Sequence, residues 1–225
     1  TIWRNQVNIP PWSFSTINSY MTCPFKYYAA KVSKKYPDES NEASIWGNRV
    51  HKALEERLLH KTTLPVGMDQ WEPIVALFDE PSGELLVEHK LAIDKKFEPC
   101  DWDNSWARCI IDVALLRGDR AKAYDWKTGK IKPGSPQLAL SSAILMHVHP
   151  SVKIVDTGYV WLQYGDITPA SYHRGDLSDF WAEFLPNVRK WERSFETGKW
   201  EKKPSGLCRD WCSNKECNFY QEKKK

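Results

Sequence analysis

Between Arg108 and Lys130 the chain reads RCIIDVALLRGDRAKAYDWKTGK, two runs of strand-forming residues separated by Gly118-Asp119. A Gly-Asp pair between such runs, here 108–116 and 121–127, is the loop of a two-residue hairpin. That loop sets the register. If Arg117 pairs with Arg120, Asp112 lies across from Asp125 and Ile110 across from Lys127, and the two-residue period puts Asp125 and Lys127 on one face. Opposed carboxylates at cross-strand distance repel, so a purely structural hairpin avoids them unless a cation sits between. A divalent metal meets that condition. The small pair Ala114 and Ala123, next toward the turn, would leave room for metal, water and a phosphate. Ile111, Val113, Leu115, Tyr124 and Trp126 form the opposite, buried face. The alternative is a solvated sheet face on which Lys127 neutralises two acids.

The rest of the chain supplies further elements around this hairpin. Ser13 or Ser15 caps a helix through about Val32, which carries Cys23-Pro24 and the aromatics Phe25, Tyr27 and Tyr28. Residues 43–60 form a second helix with Trp46, Val50, Leu54 and Leu58 as its apolar stripe. On it Gly47 and His51 are four apart and share a face, so a ligand could approach the helix closely there. Pro65, Pro73 and Pro81 punctuate a connection that holds a short helix near 74–78. Residues 84–93 read as a strand with Glu88 at its centre, a minor candidate for the site. Gln137 opens an apolar helix, 155–162 is a further strand, and 176–197 is helical with an interruption at Pro186.

With 225 residues, 41% hydrophobic and 27% charged, the chain has the composition of one globular domain. The expected subdivision is an N-terminal helical part over 1–42, a core over 43–175 and a C-terminal helical segment with a cysteine tail over 176–225. No window has the length of a membrane span, and TIWRNQVNIPPW lacks the apolar segment of a secretory leader, so an intracellular location is expected. A net charge of +3 permits a nucleic-acid partner without requiring one. Of the six cysteines, Cys208, Cys212 and Cys217 crowd the C-terminus in C-x3-C-x4-C spacing. Together with Cys23 they suit tetrahedral thiolate ligation of zinc or of an iron-sulfur cluster.

Asp112 followed by Asp125-Trp126-Lys127 resembles the motif of the PD-(D/E)XK nucleases, and in particular their RecB-like and CRISPR-associated exonuclease branch. Three further features resemble that branch: the G-x-x-x-H pattern ending at His51, the Cys-Pro at Cys23, and Gln137 opening the helix after the motif. Ser141 stands where a tyrosine is typical, and the middle tail cysteine is displaced by one from the usual C-x2-C-x5-C. The resemblance implies an α/β fold: a central mixed β-sheet flanked by helices, a restriction-endonuclease-like core, with the N- and C-terminal segments joined by a metal cluster on four cysteines. It implies that His51, Asp112, Asp125 and the Trp126 carbonyl hold Mg2+ or Mn2+. Lys127 would activate water beside Gln137, and Cys23, Cys208, Cys212 and Cys217 would ligate a 4Fe-4S cluster, with Zn2+ as the alternative. The activity implied is hydrolysis of single-stranded DNA from an end, in recombination, repair or phage replication. The chain has no G-x-x-x-x-G-K-[ST] phosphate loop, so a helicase or recombination partner would supply any ATP-driven step. An endonuclease on the same core and a non-catalytic DNA-binding module are the competing expectations.

Overall fold

Five strands carry the fold: β1 (Glu84–Ile93), β2 (Ala107–Arg117), β3 (Arg120–Lys127), β4 (Ile154–Trp161) and β5 (Asp166–His173). The helices are α1 (Phe14–Thr22), α2 (Pro24–Tyr27), α3 (Glu42–His60), α4 (Glu72–Val75), α5 (Gln137–Val148) and α6 (Leu177–Thr197). The computed structural model describes residues 8–38, 40–79, 82–132, 136–209 and 211–221. Pro81, one of the three expected punctuating prolines, lies outside them. Asn41–Phe180 forms one compact unit; the segments up to Ser40 and from Trp181 form another.

The larger unit holds a mixed sheet in the order β1-β2-β3-β4-β5. Gly118 adopts φ 60 in the β2–β3 turn, and Arg117 pairs with Arg120 as the two-residue loop demands. β3 and β4 are parallel, so the chain must cross over between them, and α5 is that crossover. β5, which period-two reading did not find, pairs antiparallel with β4. Its side chains alternate between half-buried and exposed, as on an edge strand, and Pro169 and the polar residues around it weaken the strand signal.

Each sheet face is covered by one helix. On one side Val50, Leu54 and Leu58 of α3 pack with Val113 and Trp126 of the hairpin, Val160, Leu162, and Trp71, Val75 and Phe78 from the connection. Arg57 is buried at the same edge and joins α3 to α4, with Nη1 and Nη2 donating to Asp79 at 2.8 and 2.7 Å and a second pairing to Glu72. Trp46, expected in the apolar stripe, is 36% exposed. It lies a full turn before the first core contact, Val50. On the other side α5 packs across β1, β2, β4 and β5, with Leu138 against Tyr159 and Trp161. Ala114 and Ala123 on this face are buried, not open to a ligand, which corrects the expectation placed on them: their small size fits a sheet face roofed by a helix. Arg174 fastens the end of that helix, its guanidinium donating to the carbonyls of Met146, His149 and Val152.

The smaller unit departs from the expected single helix over 13–32. Ser13 caps α1 as anticipated, accepting from Thr16 N at 3.4 Å, but the helix stops at Cys23, whose backbone is extended at φ −161 and ψ 108. Pro24 is the cause, because its ring disfavours α geometry in the residue before it. α2 then starts with that proline at its first turn and runs into a π-helical turn over Tyr28–Val32. α6 shows the reverse outcome and runs through Pro186 without interruption. Pro186 is exposed, so water can satisfy the freed carbonyl, while Trp181, Phe184, Val188 and Trp191 are buried on both sides of it and hold the helix.

Leu54 is fully buried and Trp46 is not. Urea unfolding should therefore find Leu54→Ala less stable by about 3 kcal/mol, the cost of a core cavity, and Trp46→Ala within about 0.5 kcal/mol of the native chain.

Candidate active site

The site begins where the hairpin forks. The β2–β3 ladder ends at Val113 and Tyr124, one residue short of the expected pairing of Asp112 with Asp125. Beyond it β2 remains paired with β1, and β3 with β4, where Asp125 lies opposite Tyr159 and Lys127 opposite Trp161. The backbone groups of Trp126 that would have met β2 are taken by side chains. Trp126 N donates to Asp112 Oδ2 at 2.7 Å, and the Trp126 carbonyl lies 3.0 Å from His51 Nε2. Both polar groups of a buried residue are thus satisfied without a rung of the ladder.

The β1–β2 ladder is broken at the same level: Val87 pairs with Val113 and His89 with Ile111, but Glu88 skips Asp112. Glu88 has φ 44, a left-handed conformation that a strand residue with a side chain adopts only at a cost. Its carboxylate meets His51 Nδ1 at 3.5 Å, and Asp112 Oδ2 lies 3.5 Å from the same nitrogen. Burial lowers the affinity of His51 for its proton, but hydrogen bonding and the charges of Asp112 and Glu88 outweigh it and hold the pKa at about 10. Ligand atoms of His51, Glu88 and Asp112 all lie within 4.8 Å of one another. Ligand distances of about 2.1 Å let one divalent ion bridge such a group. Donation of the second ring nitrogen to a backbone carbonyl is also how metal-binding histidines are oriented. The donor set therefore fits a divalent cation, to which His51 would present Nδ1 while its Nε2 faces the Trp126 carbonyl.

Asp125 faces a different set of partners. Its Oδ2 is 2.5 Å from Lys127 Nζ as an ion pair, and its Oδ1 accepts from Gln137 Nε2 at 2.7 Å. Burial and the nearby charge of Asp112 push its pKa up to about 6, against the pull of Lys127 and His51. Lys127 Nζ also lies 3.5 Å from Gln137 Oε1 and 4.9 Å from the centre of the Tyr159 ring. Asp125, Lys127 and Gln137 thus form one group and His51, Glu88 and Asp112 another, on the two sides of the fork. Sequence reasoning gave Glu88 little weight because a mid-strand acid carries no sign of its backbone conformation, and it missed Tyr159, which only the β3–β4 register brings beneath Lys127. Ser141, in the position of the usual tyrosine, bonds back to the carbonyls of Gln137 and Leu138.

An open cleft of about 540 Å³ gives access, lined by residues from α3, β1 and the β3 end including Gly47, His51, Glu88, Lys127 and Thr128. A Cβ on Gly47 would sit 3.4 Å from Thr128 Oγ1, so the glycine marks the close approach of α3 to the loop after Lys127. Glu55 also lines the cleft but pairs with Lys52 at 3.0 Å.

Within the smaller unit Cys23, Cys208, Cys212 and Cys217 all line one small cavity of about 30 Å³. Among the described residues no three of their sulfurs lie within 4.8 Å of one another. The break at Pro24 frees Cys23 from helical geometry. Cys109 is on β2 of the larger unit, and burial pushes its thiol up to about 12.

A sequence profile of the PD-(D/E)XK nuclease superfamily matches residues 11–117, a stretch holding Cys23, His51, Glu88 and Asp112 but ending before Asp125 and Lys127. A crystal structure from Eubacterium rectale, provisionally named an exonuclease, superposes with a TM-score of 0.55 at 14% identity, covering 89% of this chain and 87% of its own. The crystal structure of SSO0001 covers 95% of this chain and 88% of its own at 12% identity, with a TM-score of 0.48, too low to carry an argument. No curated protein sequence matches significantly. The profile supports the PD-(D/E)XK nuclease superfamily, and the first structure supports the fold.

The strain at Glu88 is directly measurable. Glu88→Gly should unfold within about 1 kcal/mol of the native chain, since relief of the left-handed penalty offsets the entropy that glycine adds to the unfolded state. Glu88→Val, β-branched at positive φ, should be less stable by about 2 kcal/mol in the same denaturant titration.

Proposed function

We propose that this chain is a divalent-metal-dependent deoxyribonuclease of the RecB-like PD-(D/E)XK type, acting within the cell as an exonuclease on single-stranded DNA. The observation that carries the reading is the fork at Asp112. It brings a histidine and two carboxylates to one point and sets a lysine, an aspartate and a glutamine beside them. A binding module has no use for that convergence, since mutual repulsion of the acids makes it costly without a cation. The exonuclease mode rests on the name of the Eubacterium rectale neighbour and on the motif pattern from Cys23 to Gln137.

In this reading His51, Glu88 and Asp112 would hold Mg2+ or Mn2+, with Asp125 across the fork as a further ligand. The bound ion would supply Lewis-acid stabilisation of the charge that develops on the phosphate. Asp112 has a second task, because its hydrogen bond from Trp126 N positions the strand that carries Lys127. Lys127 Nζ, held by Asp125 and Gln137, would orient the attacking water. Gln137 bridges the two, donating to Asp125 and facing Lys127 with its oxygen.

The cysteines are assigned to a 4Fe-4S cluster that ties the first helical segment to the C-terminal tail. Support comes from the four thiols lining one cavity. Protein purified without oxygen should be brown and lose that absorbance and its iron in Cys217→Ser; colourless protein with one zinc per chain would assign zinc instead.

The nuclease is tested on linear single-stranded DNA labelled separately at each end, with a circular strand alongside. Mg2+ or Mn2+ should release short products from one end of the linear strand and leave the circle intact, and chelation should stop the reaction. Asp112→Ala and Lys127→Ala should each lower the rate at least about 100-fold. Undiminished cleavage by either variant would sink the site assignment, and cleavage of the circle would make the enzyme an endonuclease.

A further inference from the structure

A second concentration of charge lies in the unit that carries the cysteines. Lys190, Arg193, Lys199, Lys202 and Lys203 line one cavity of about 580 Å³, accompanied by a single carboxylate residue, Glu201. Overall composition does not account for it, because the whole chain has a net charge of only +3. Lys190 and Arg193 are three apart on α6 and share a face, while the other three come from the segment beyond the helix. Two stretches of chain thus bring their cations to one place.

Two of the five have tasks within the protein. Lys202 Nζ donates to Asn218 at 2.7 Å, and Lys203 Nζ donates to the Met21 carbonyl at 2.7 Å. Lys190, Arg193 and Lys199 are exposed and form no ion pair among the described residues. The surface that presents them is held firmly: Tyr20 OH, buried beneath, donates to the Lys190 carbonyl at 2.9 Å and lies 2.8 Å from Ser194 Oγ. Like charges converging on a fixed surface repel one another, and a polyanion removes that cost.

We propose that this cavity is a second nucleic-acid contact, separate from the metal-binding residues, which grips the phosphodiester backbone of a DNA strand without reading its bases. Arginine matches phosphate with two parallel donors and lysine binds it as a point charge. The apolar residues of the lining are Tyr20, Met21 and Pro24, with Tyr20 buried, so an acidic peptide would find few of the apolar anchors it needs to bind stably. The assignment of DNA as the polyanion rests on the nuclease reading.

The test is binding of labelled oligothymidylate to the full chain over a salt series, with chelator present so that nothing is cut. Each single-strand phosphate contact contributes about 0.7 to the slope of log K against log salt, so Lys190→Gln/Arg193→Gln/Lys199→Gln should lower the slope by about 2. Should the triple variant fail to fold, Lys199→Gln alone, outside any helix, should lower it by about 0.7. An unchanged slope overturns the proposal. So does equal displacement of the oligomer by polyglutamate of matched charge, which would make the partner an acidic protein, or by inorganic phosphate at equal concentration, which would make the site one for a small anion. The nuclease reading fails separately: a chain that loses the slope in the variant but never cuts DNA with metal keeps this contact and loses that activity.

Discussion

The hydrogen bond from Trp126 N to Asp112 Oδ2 governs the larger unit. A backbone donor in a sheet interior must have a partner, and here a carboxylate takes the place of the facing strand. That exchange ends the β2–β3 ladder at Val113 and lets β3 continue with β4 alone. His51 completes the arrangement by meeting the carbonyl of the same residue. The two side chains that substitute for a rung of sheet, Asp112 and His51, are therefore two of the three whose donor atoms converge at the candidate metal site. Fold and site share the same atoms, and for that reason an aspartate can be tolerated at 9% exposure.

Charge and backbone strain coincide at this point of the sheet. Glu88 is held at φ 44 directly beside Asp112, and His51 Nδ1 stands between the two acids, 3.5 Å from each. Asp125 is pushed toward its neutral form by burial and by the same neighbour. Left-handed backbone and compressed like charges persist only where the surroundings over-determine them. The surroundings here are α3 on one face and α5 on the other, each anchored by apolar packing and by a buried or half-buried arginine, Arg57 or Arg174.

The smaller unit is organised by different chemistry. Its core is aromatic: Tyr20, Tyr27 and Tyr28 gather around Trp200, and Trp12 stacks on Phe184. Around that core the chain's two ends place four thiols at one cavity, and the stretch 190–203 places five cations at another. A short polar tail such as 204–221 has little apolar surface of its own to bury, so a cross-link to the first helical segment would order it by limiting the unfolded chain.

Much of this was legible in the sequence because it depends on local rules. Gly118-Asp119 dictates a two-residue turn, the turn dictates the pairing of Arg117 with Arg120, and the period of two places Val113 and Trp126 on the face that packs under α3. The spacing of Gly47 and His51, the cap at Ser13 and the opening of α5 at Gln137 follow from similarly short-range physics. Proline follows a less local rule. Pro24 ends a helix because it constrains the residue before it, whereas Pro186 does not, because packing of Trp181 and Trp191 on either side outweighs one missing donor. What only the tertiary structure decided is the fork itself. Simple extrapolation of the register sets Asp112 against Asp125, but the balance between one more rung of sheet and the hydrogen bonds offered by Asp112 and His51 depends on a helix far upstream in sequence and on the pull of β4. That same balance brings Glu88 to His51 and turns Asp125 toward Lys127 and Gln137, because side chains follow the backbone's partners, and those partners are chosen by the whole fold.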